Sequence, residues 1–334
     1  MPPIRIALIG LSAGAITTWA ASAHLPYLLS SHGRQHYEIV ALLNSSVAAA
    51  SSARQTFNLP PTVKTYGTPS DLAQDAEVDL VVCCTRVDVH FDTILPSIQA
   101  GKALFVEWPL AENLARCLTL VSALPAAHSL TNSIVGLQGR VSPVTLRLKA
   151  LLASGAIGNV LSAHVLCYGA LLPRDALPES MQYFAERRHG GNPIVIENGH
   201  CLDWVHEVLG EYQDFATYMQ IQRPVIKIVG EEGETLREVD TDVPDLLSLQ
   251  GRLGGREGVV PGALLTHVFR HGTPFRGRPG LEWIINGEKG EVRVEMGEKY
   301  LFLEDPVRIE VHHHGTDEVR AVEWDWEGGR GSCR

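Results

Sequence analysis

The chain has 334 residues, 45% hydrophobic and 20% charged, with a formal net charge of −10. That length accommodates two ordinary domains with a sizeable core, and the composition is that of a globular protein rather than a disordered or collagenous one. The negative balance argues against sequence-independent nucleic-acid binding, which needs basic surface to displace counterions, and no apolar run reaches the ~20 residues of a membrane span.

MPPIRIALIG enters a strand at once and lacks the basic-then-apolar shape of a secretion signal. IRIALIG (4–10) reads as a buried strand ending in glycine, and SAGAITTWAASAHLPYLLSS as a loop and a helix. YEIVALLNSS (37–46) is a second strand, AAASSARQTF a helix and VKTYG a short strand. PSDLAQDAEV starts a helix with Ser70 as its N-cap. DLVVCCT (79–85) has no polar alternation and is a strand buried on both faces. HFDTILPSIQAGK is a helix closed by Gly101, ALFVEWP a strand, NLARCLTLVSAL a helix and SIVGLQGR a strand. Strands alternating with helices at this spacing mean a parallel sheet covered on both faces, which binds ligands at the carboxyl ends of its strands. GLSAG, NSS, CTR, EWP and LQGR stand at such ends.

After residue 142 the pattern changes. PVTLRLKALLASGAIGNV is a helix ending at glycine, LSAHVLCYG a strand, the Pro-rich stretch 173–193 a loop, and IENGHCLDWVHEVLG a helix closed by Gly210. From 213 onward come strands broken by Gly, Pro and Asp, including LLSLQGRL, ALLTHVFRHG, KYLFLED and RIEVHHH; NGEKG is a hairpin turn. The expected fold is α/β: an N-terminal Rossmann dinucleotide-binding domain (1–135) and a C-terminal α/β domain (136–325) with a large, mostly antiparallel open sheet. Residues 326–334 read as a disordered tail. Six cysteines, at 83, 84, 117, 167, 201 and 333, form no C-x-x-C pair and read as reduced thiols of a cytoplasmic protein.

The first strand runs into Gly10-Leu11-Ser12-Ala13-Gly14-Ala15. Against the dinucleotide fingerprint G-x-G-x-x-G/A, Gly10 and Ala15 fit the ends and Ser12 takes the place of the middle glycine, where bulk must stay low for backbone to approach a pyrophosphate. The second strand ends at Asn44-Ser45-Ser46, with no acidic residue to bind the ribose 2′-OH of NAD. Ser45 or Ser46 could meet the 2′-phosphate of NADP, with Arg54 as the only nearby arginine, so NADP or NAD is expected, with a slight preference for NADP.

CTRVDVHFDTILPSIQAGKALFVEWPLAENL (84–114) resembles the glucose-fructose oxidoreductase / inositol dehydrogenase family (Gfo/Idh/MocA). That family's pattern is a strand, Thr-Pro-Asn, a histidine, a helix ending Ala-Gly-Lys, and Glu-Lys-Pro. Thr85, His90, Ala100-Gly101-Lys102, Glu107 and Pro109 match; Arg86 and Val87 replace Pro-Asn, and Trp108 replaces the lysine. NGHCLDWVHEVLG (198–210) resembles the family's Asp-x-Gly-x-His-x-x-Asp helix through His200 and Asp203, with Ile196 in place of the first aspartate and Glu197 beside it. GLEWIINGEKGEVRV resembles the strand and hairpin of the family's second domain. GLSAG, HLPYL, VEWPLA and LQGRVSP are most similar to the branch that contains the fungal galactose-pathway repressor, a dinucleotide-binding regulator that acts through a protein partner.

The resemblance implies cofactor contacts from Gly10, Ser12, Ala13, Gly14, Asn44, Ser45, Thr85, Arg86, His90, Glu107, Trp108 and Gln138. In the family's dehydrogenases a lysine and a histidine handle the proton while nicotinamide exchanges hydride. Trp108 cannot carry a catalytic proton near neutral pH, and losing one general acid/base costs ~10²–10⁴ in rate. His200 then carries the proton, with Asp203 three residues on to orient it and Glu197 as a further acid; a helix-capping or core histidine is the competing reading. Tyr168 faces either the substrate or solvent. Three consecutive histidines (312–314) cannot all face one ion and read as surface residues, so no metal is expected. The cofactor is expected in a cleft between the domains. The chain reads as an NAD(P)-dependent oxidoreductase acting on a small carbonyl or hydroxyl metabolite, in secondary metabolism. The alternatives are a non-catalytic dinucleotide-binding regulator, or an enzyme of this fold doing dehydration, isomerisation or cyclisation. Expected partners are a small-molecule substrate and a second copy joined through the C-terminal sheet, without nucleic acid or membrane.

Overall fold

The computed structural model describes residues 2–14, 18–125, 132–300 and 306–324. The chain divides into two compact units, Met1–Gly136 with Arg188–Gly191, and Leu137–Arg187 with Asn192–Arg334. No helix among the described residues is long and apolar enough to cross a membrane. Ala15, residues 301–305 of KYLFLED and the tail from 325 lie outside the described residues.

The first unit runs β1 (Ile4–Ile9), α1 (Leu25–Leu29), β2 (Tyr37–Leu43), α2 (Val47–Thr56), β3 (Lys64–Tyr66), α3 (Pro69–Ala73), β4 (Leu80–Cys83), α4 (Val87–Gln99), β5 (Ala103–Glu107), α5 (Leu114–Ser122) and β6 (Ser133–Gly136). Its strands form one parallel sheet, ordered β3-β2-β1-β4-β5-β6. That order reverses direction between β1 and β4, the switch point where open α/β sheets take their ligands. β1 shows why both faces are covered. Ile6 and Leu8 pack with Leu25, Leu28, Ala50 and Ala53 on one side, while Ala7 and Ile9 pack with Leu72, Ile94 and Leu120 on the other. α2 is capped by Ser46, whose Oγ accepts from the Ala49 N–H. α3 is capped by Thr68, not Ser70. Pro69 has no N–H to lose and a fixed φ, so it takes the first helical position and moves the cap to the residue before it.

The second unit runs α6 (Pro143–Ala153), β7 (Val160–Gly169), β8 (Ala176–Pro178), α7 (Glu197–Leu209), β9 (Tyr212–Gln220), β10 (Val225–Val229), β11 (Thr235–Asp240), β12 (Leu246–Leu253), β13 (Val259–His271), β14 (Leu281–Gly287), β15 (Gly290–Met296), β16 (Val307–His313) and β17 (Glu318–Ala321). Eight of these strands form one open sheet, β17-β16-β15-β14-β7-β13-β12-β9, in which only the β7–β13 pair is parallel. α6 and α7 cover one face, burying Val144, Leu148, Trp204, Val205 and Leu209 against Val165, Cys167, Leu265, Phe269 and Trp283. Gly210, at φ 90°, stops α7.

Two segments differ from the sequence reading. SIVGLQGR leaves the strand conformation at Gly136, and Gln138–Val141 is a 3-10 turn. Gly139 in that turn lies so near α7 that a Cβ would come 2.8 Å from Trp204 Cδ1. The expected loop 173–193 holds β8 and two 3-10 turns, Glu179–Ala185 and Arg187–His189. β8 joins a separate sheet, β11-β10-β8, closed over Leu177, Phe184 and Ile228. Three residues of strand are too few to show a period of two in the sequence.

Candidate functional site

The carboxyl edge of the first sheet gathers the residues expected of a dinucleotide site. Gly10 leaves β1 at φ +87°, and a Cβ there would meet Cys84 O at 2.9 Å and Thr85 Cγ2 at 3.0 Å. Only glycine therefore lets the β1 turn lie this close to the end of β4. Among the described residues nothing stands within 4 Å of a Cβ built on Gly14, and Gly14 N–H donates to Ser12 Oγ at 3.2 Å. Asn44 Nδ2 donates to Leu11 O at 2.9 Å and ties the end of β2 to the same loop. Ser45 is exposed beside it, while Ser46 is committed as the α2 cap. A tight first turn and an exposed hydroxyl after β2 fit the phosphate and ribose groups of a nicotinamide dinucleotide.

The arginine proposed for a 2′-phosphate is directed elsewhere. Arg54 Nη1 donates to Pro61 O at 3.1 Å and Val63 O at 2.7 Å, so its guanidinium holds the loop before β3. Arg86 pairs with Asp88, with Nη2 2.6 Å from Oδ2.

Farther along the edge, Glu107 ends β5 beside Gly136 of β6, where a Cβ would meet Glu107 Oε2 at 2.8 Å. Its other oxygen accepts from His24 Nε2 at 2.5 Å. His24 arrives there through a π-helical turn, Ala20–His24, in which Leu25 N–H bonds Ala20 O. Pro26 follows, and with no N–H it cannot supply an ordinary α-helical bond back to residue 22, which accounts for the widened turn. His90 is 1% exposed, and its ring nitrogens face Pro109 O at 2.9 Å and Thr85 O at 2.8 Å. Burial lowers its pKa. The neutral ring donates to one of these carbonyls and packs its other nitrogen against the second, so His90 sits buried between the turn after β4 and the loop after β5 rather than reaching out of the edge. Trp108 lies in that loop, half-buried, ahead of a cis bond to Pro109.

In the second unit α7 brings Glu197, His200 and Asp203 onto consecutive turns. Glu197 is 4% exposed, and burial pushes its carboxyl up to about 8; a hydrogen bond from Leu171 N–H opposes this and Cys167 adds to it. Gly169 makes room for it, since a Cβ there would come 2.9 Å from Glu197 Oε2. His200 is half-buried. Asp203 is held by Arg140, whose Nε is 2.9 Å from both carboxylate oxygens and whose Nη2 is 2.6 Å from Oδ1. That bidentate pair fixes the carboxylate and ties α7 to the 3-10 turn. Gln138, in that turn, is exposed.

Tyr168 does not join α7. In β7, Val165 and Cys167 pack under α7, and alternation puts Leu166 and Tyr168 on the open face of the sheet. Arg270, its neighbour in β13, stacks over the Tyr168 ring at 4.9 Å. Residues that the sequence reading passed over also gather around α7. His267 Nε2 lies 2.5 Å from Asn198 Oδ1, and Cys167 Sγ lies 3.7 Å from the same nitrogen, all buried.

Two family descriptions match the chain. "Oxidoreductase family, NAD-binding Rossmann fold" matches residues 4–132, and "Gal80p, C-terminal domain" matches residues 143–296. The chain belongs to the Gfo/Idh/MocA oxidoreductase family. Among curated members, the dehydrogenase aclE of Aspergillus oryzae is 29% identical over 95% of this chain and 83% of its own length. The galactose/lactose metabolism regulatory protein GAL80 of Saccharomyces cerevisiae is 28% identical over 88% of this chain and 67% of its own. Solved structures repeat the fold. A super-repressor mutant of Gal80p from the same yeast superposes with a TM-score of 0.81 at 23% identity, covering 98% of this chain and 82% of that one. Levoglucosan dehydrogenase in complex with NADH and levoglucosan gives 0.68 at 16%, covering 97% and 80%. This Gfo/Idh/MocA chain thus stands among both dehydrogenases and regulators.

His24 is the first-unit residue that sequence reasoning missed. It lies in HLPYL, which carried part of the resemblance, but its pairing with Glu107 spans 83 positions and only the tertiary fold reveals it.

Proposed function

We propose that the chain is a nicotinamide-dinucleotide-dependent oxidoreductase acting on a small carbonyl or hydroxyl metabolite, with His200 as the proton donor and acceptor. The observation that carries this reading is Glu197, a buried carboxyl pushed up to about 8 within one turn of half-buried His200. A buried acid is costly to fold around, and perturbed carboxyls of this kind cluster at functional sites.

The turn at Gly10–Gly14 would hold the pyrophosphate, and Asn44, by fixing Leu11 O, keeps that turn in shape. Ser45 would meet the ribose. With Arg54 turned to backbone carbonyls, the slight preference for NADP loses its cation, so both dinucleotides are expected to bind with similar affinity. When bound, the nicotinamide supplies or accepts the hydride. His200 delivers the proton to the carbonyl oxygen, or removes it from the hydroxyl in the reverse direction. Glu197, neutral near pH 7, is the proton reserve on the same helix. Asp203, fixed by Arg140, holds the helix turn in place. The test is a panel of sugars, polyols and cyclic ketones assayed by cofactor absorbance, with His200→Ala beside the parent. Turnover that falls by ~10²–10⁴ in the variant supports the assignment; turnover that persists unchanged removes His200 from it.

One observation favours a second reading. Trp108 stands where the family resemblance leads one to expect a lysine, and residues 143–296, within the second unit, match the Gal80p C-terminal domain. A regulator that binds the dinucleotide and passes the signal to a protein partner needs no proton-transfer group. Saturable dinucleotide binding without turnover on any compound of the panel would favour it.

A further inference from the structure

The HHH stretch (312–314) is organised by the sheet in a way that its sequence conceals. β16 buries Ile309 and Val311, so alternation puts His312 on the opposite face and His313 on theirs, while His314 follows in the turn, its N–H bonded to Lys289 O. β15 lies antiparallel beside it and pairs Glu291 directly with His312. The metal-binding atoms of Glu291, His312 and His314 all lie within 4.8 Å of one another. The two imidazole rings are 5.6 Å apart, edge to face. A second carboxylate adjoins them: Asp317, in the turn to β17, accepts from His312 Nε2 at 2.8 Å.

We propose that Glu291, His312 and His314 form a binding site for a divalent transition-metal ion of the zinc, nickel or copper class. Imidazole nitrogens with a carboxylate oxygen are the donor set these ions prefer, whereas calcium and magnesium take oxygen-only sets. An ion held at about 2.0–2.2 Å from each ligand in a tetrahedral shell needs donor atoms roughly 3.4 Å apart, so side-chain rotations that move the donors by about an ångström close the site. The site is shallow. His312 is 36% exposed, and the remaining coordination positions belong to water or to an added ligand. Asp317 restrains the His312 ring, the carboxylate–histidine arrangement that strengthens metal sites. Backbone register sets Glu291 opposite His312, and the turn after β16 brings His314 beside them. A bound ion would tie β15, β16 and the β17 turn together.

The experiment is calorimetric titration of the untagged full chain with Zn²⁺ and with Ni²⁺, beside three variants. The parent should bind one equivalent saturably at this site. His312→Ala/His314→Ala should lose that equivalent, and Glu291→Gln should weaken it by at least about tenfold. His313→Ala changes a histidine on the opposite face and should leave it intact. A loss as large with His313→Ala, or an equivalent that persists in His312→Ala/His314→Ala, would overturn the assignment, as would the absence of saturable binding in the parent. A circular dichroism spectrum of each variant matching the parent keeps a folding defect from passing as a lost ligand.

Discussion

Glu197 governs how the molecule should respond to pH. Its folded pKa, about 8, lies above the ordinary 4.5. Between those values the folded protein binds more protons than the unfolded one, so stability is greatest below the lower value and declines as pH rises through the upper one. The slope approaches about 1.4 kcal/mol per pH unit where the group is neutral in the fold and ionised in the unfolded chain. Glu197→Gln keeps the shape and removes the proton, so its urea midpoint should vary less from mildly acidic to mildly alkaline pH and exceed the parent's at the alkaline end. An identical pH profile in parent and variant would show that Glu197 is already ionised in the fold. The sequence placed an acid one position from the family aspartate, but burial decides what such an acid does, and burial depends on Gly169 from a distant strand. The same holds for His90: its match to the family pattern was legible, while the two carbonyls that occupy it come from residues 85 and 109.

Elements with long periodic patterns were legible. β4, uniformly apolar, is buried on its last three positions, and the alternating segments from β12 to β16 became sheet strands with every second residue inward. The α3 cap was misplaced by two residues because Pro69 outranks the serine after it. Gln138–Arg140, the first three residues of the 3-10 turn, were read as the end of a strand, since SIVGLQGR fits either pattern. The turn's conformation is set by close packing, which Gly139 makes possible. Gly139→Ala would drive a methyl to 2.8 Å from the Trp204 ring, which is itself 1% exposed and packed edge-on to Trp283 at 5.4 Å. We expect a loss of about 1–3 kcal/mol in thermal or chemical unfolding. A neutral effect would mean that the turn can retreat from α7.

At the scale of the whole molecule, two kinds of architecture are combined. The first unit is a parallel sheet buried on both faces, whose carboxyl edge concentrates Gly10, Asn44, Thr85 and Glu107. The second is a sheet covered on one face by α6 and α7 and open on the other, where Tyr168 and the His312 cluster lie. The parallel half announced itself through strand–helix alternation. The small β11-β10-β8 sheet did not, because its pairings link residues 176–178 to 225–229 across α7 and β9. Trp108, standing where the family resemblance leads one to expect a lysine, leaves chemistry and regulation as the two rival outcomes for a shared fold. The most direct discriminator is transfer of label from NADH or NADPH deuterated at the nicotinamide C4 position, incubated with the protein and a metabolite extract and followed by mass spectrometry. The account predicts a metabolite that gains a single deuterium with the parent protein and none with His200→Ala. Dinucleotide that binds the protein saturably while no deuterium moves into any metabolite would contradict it.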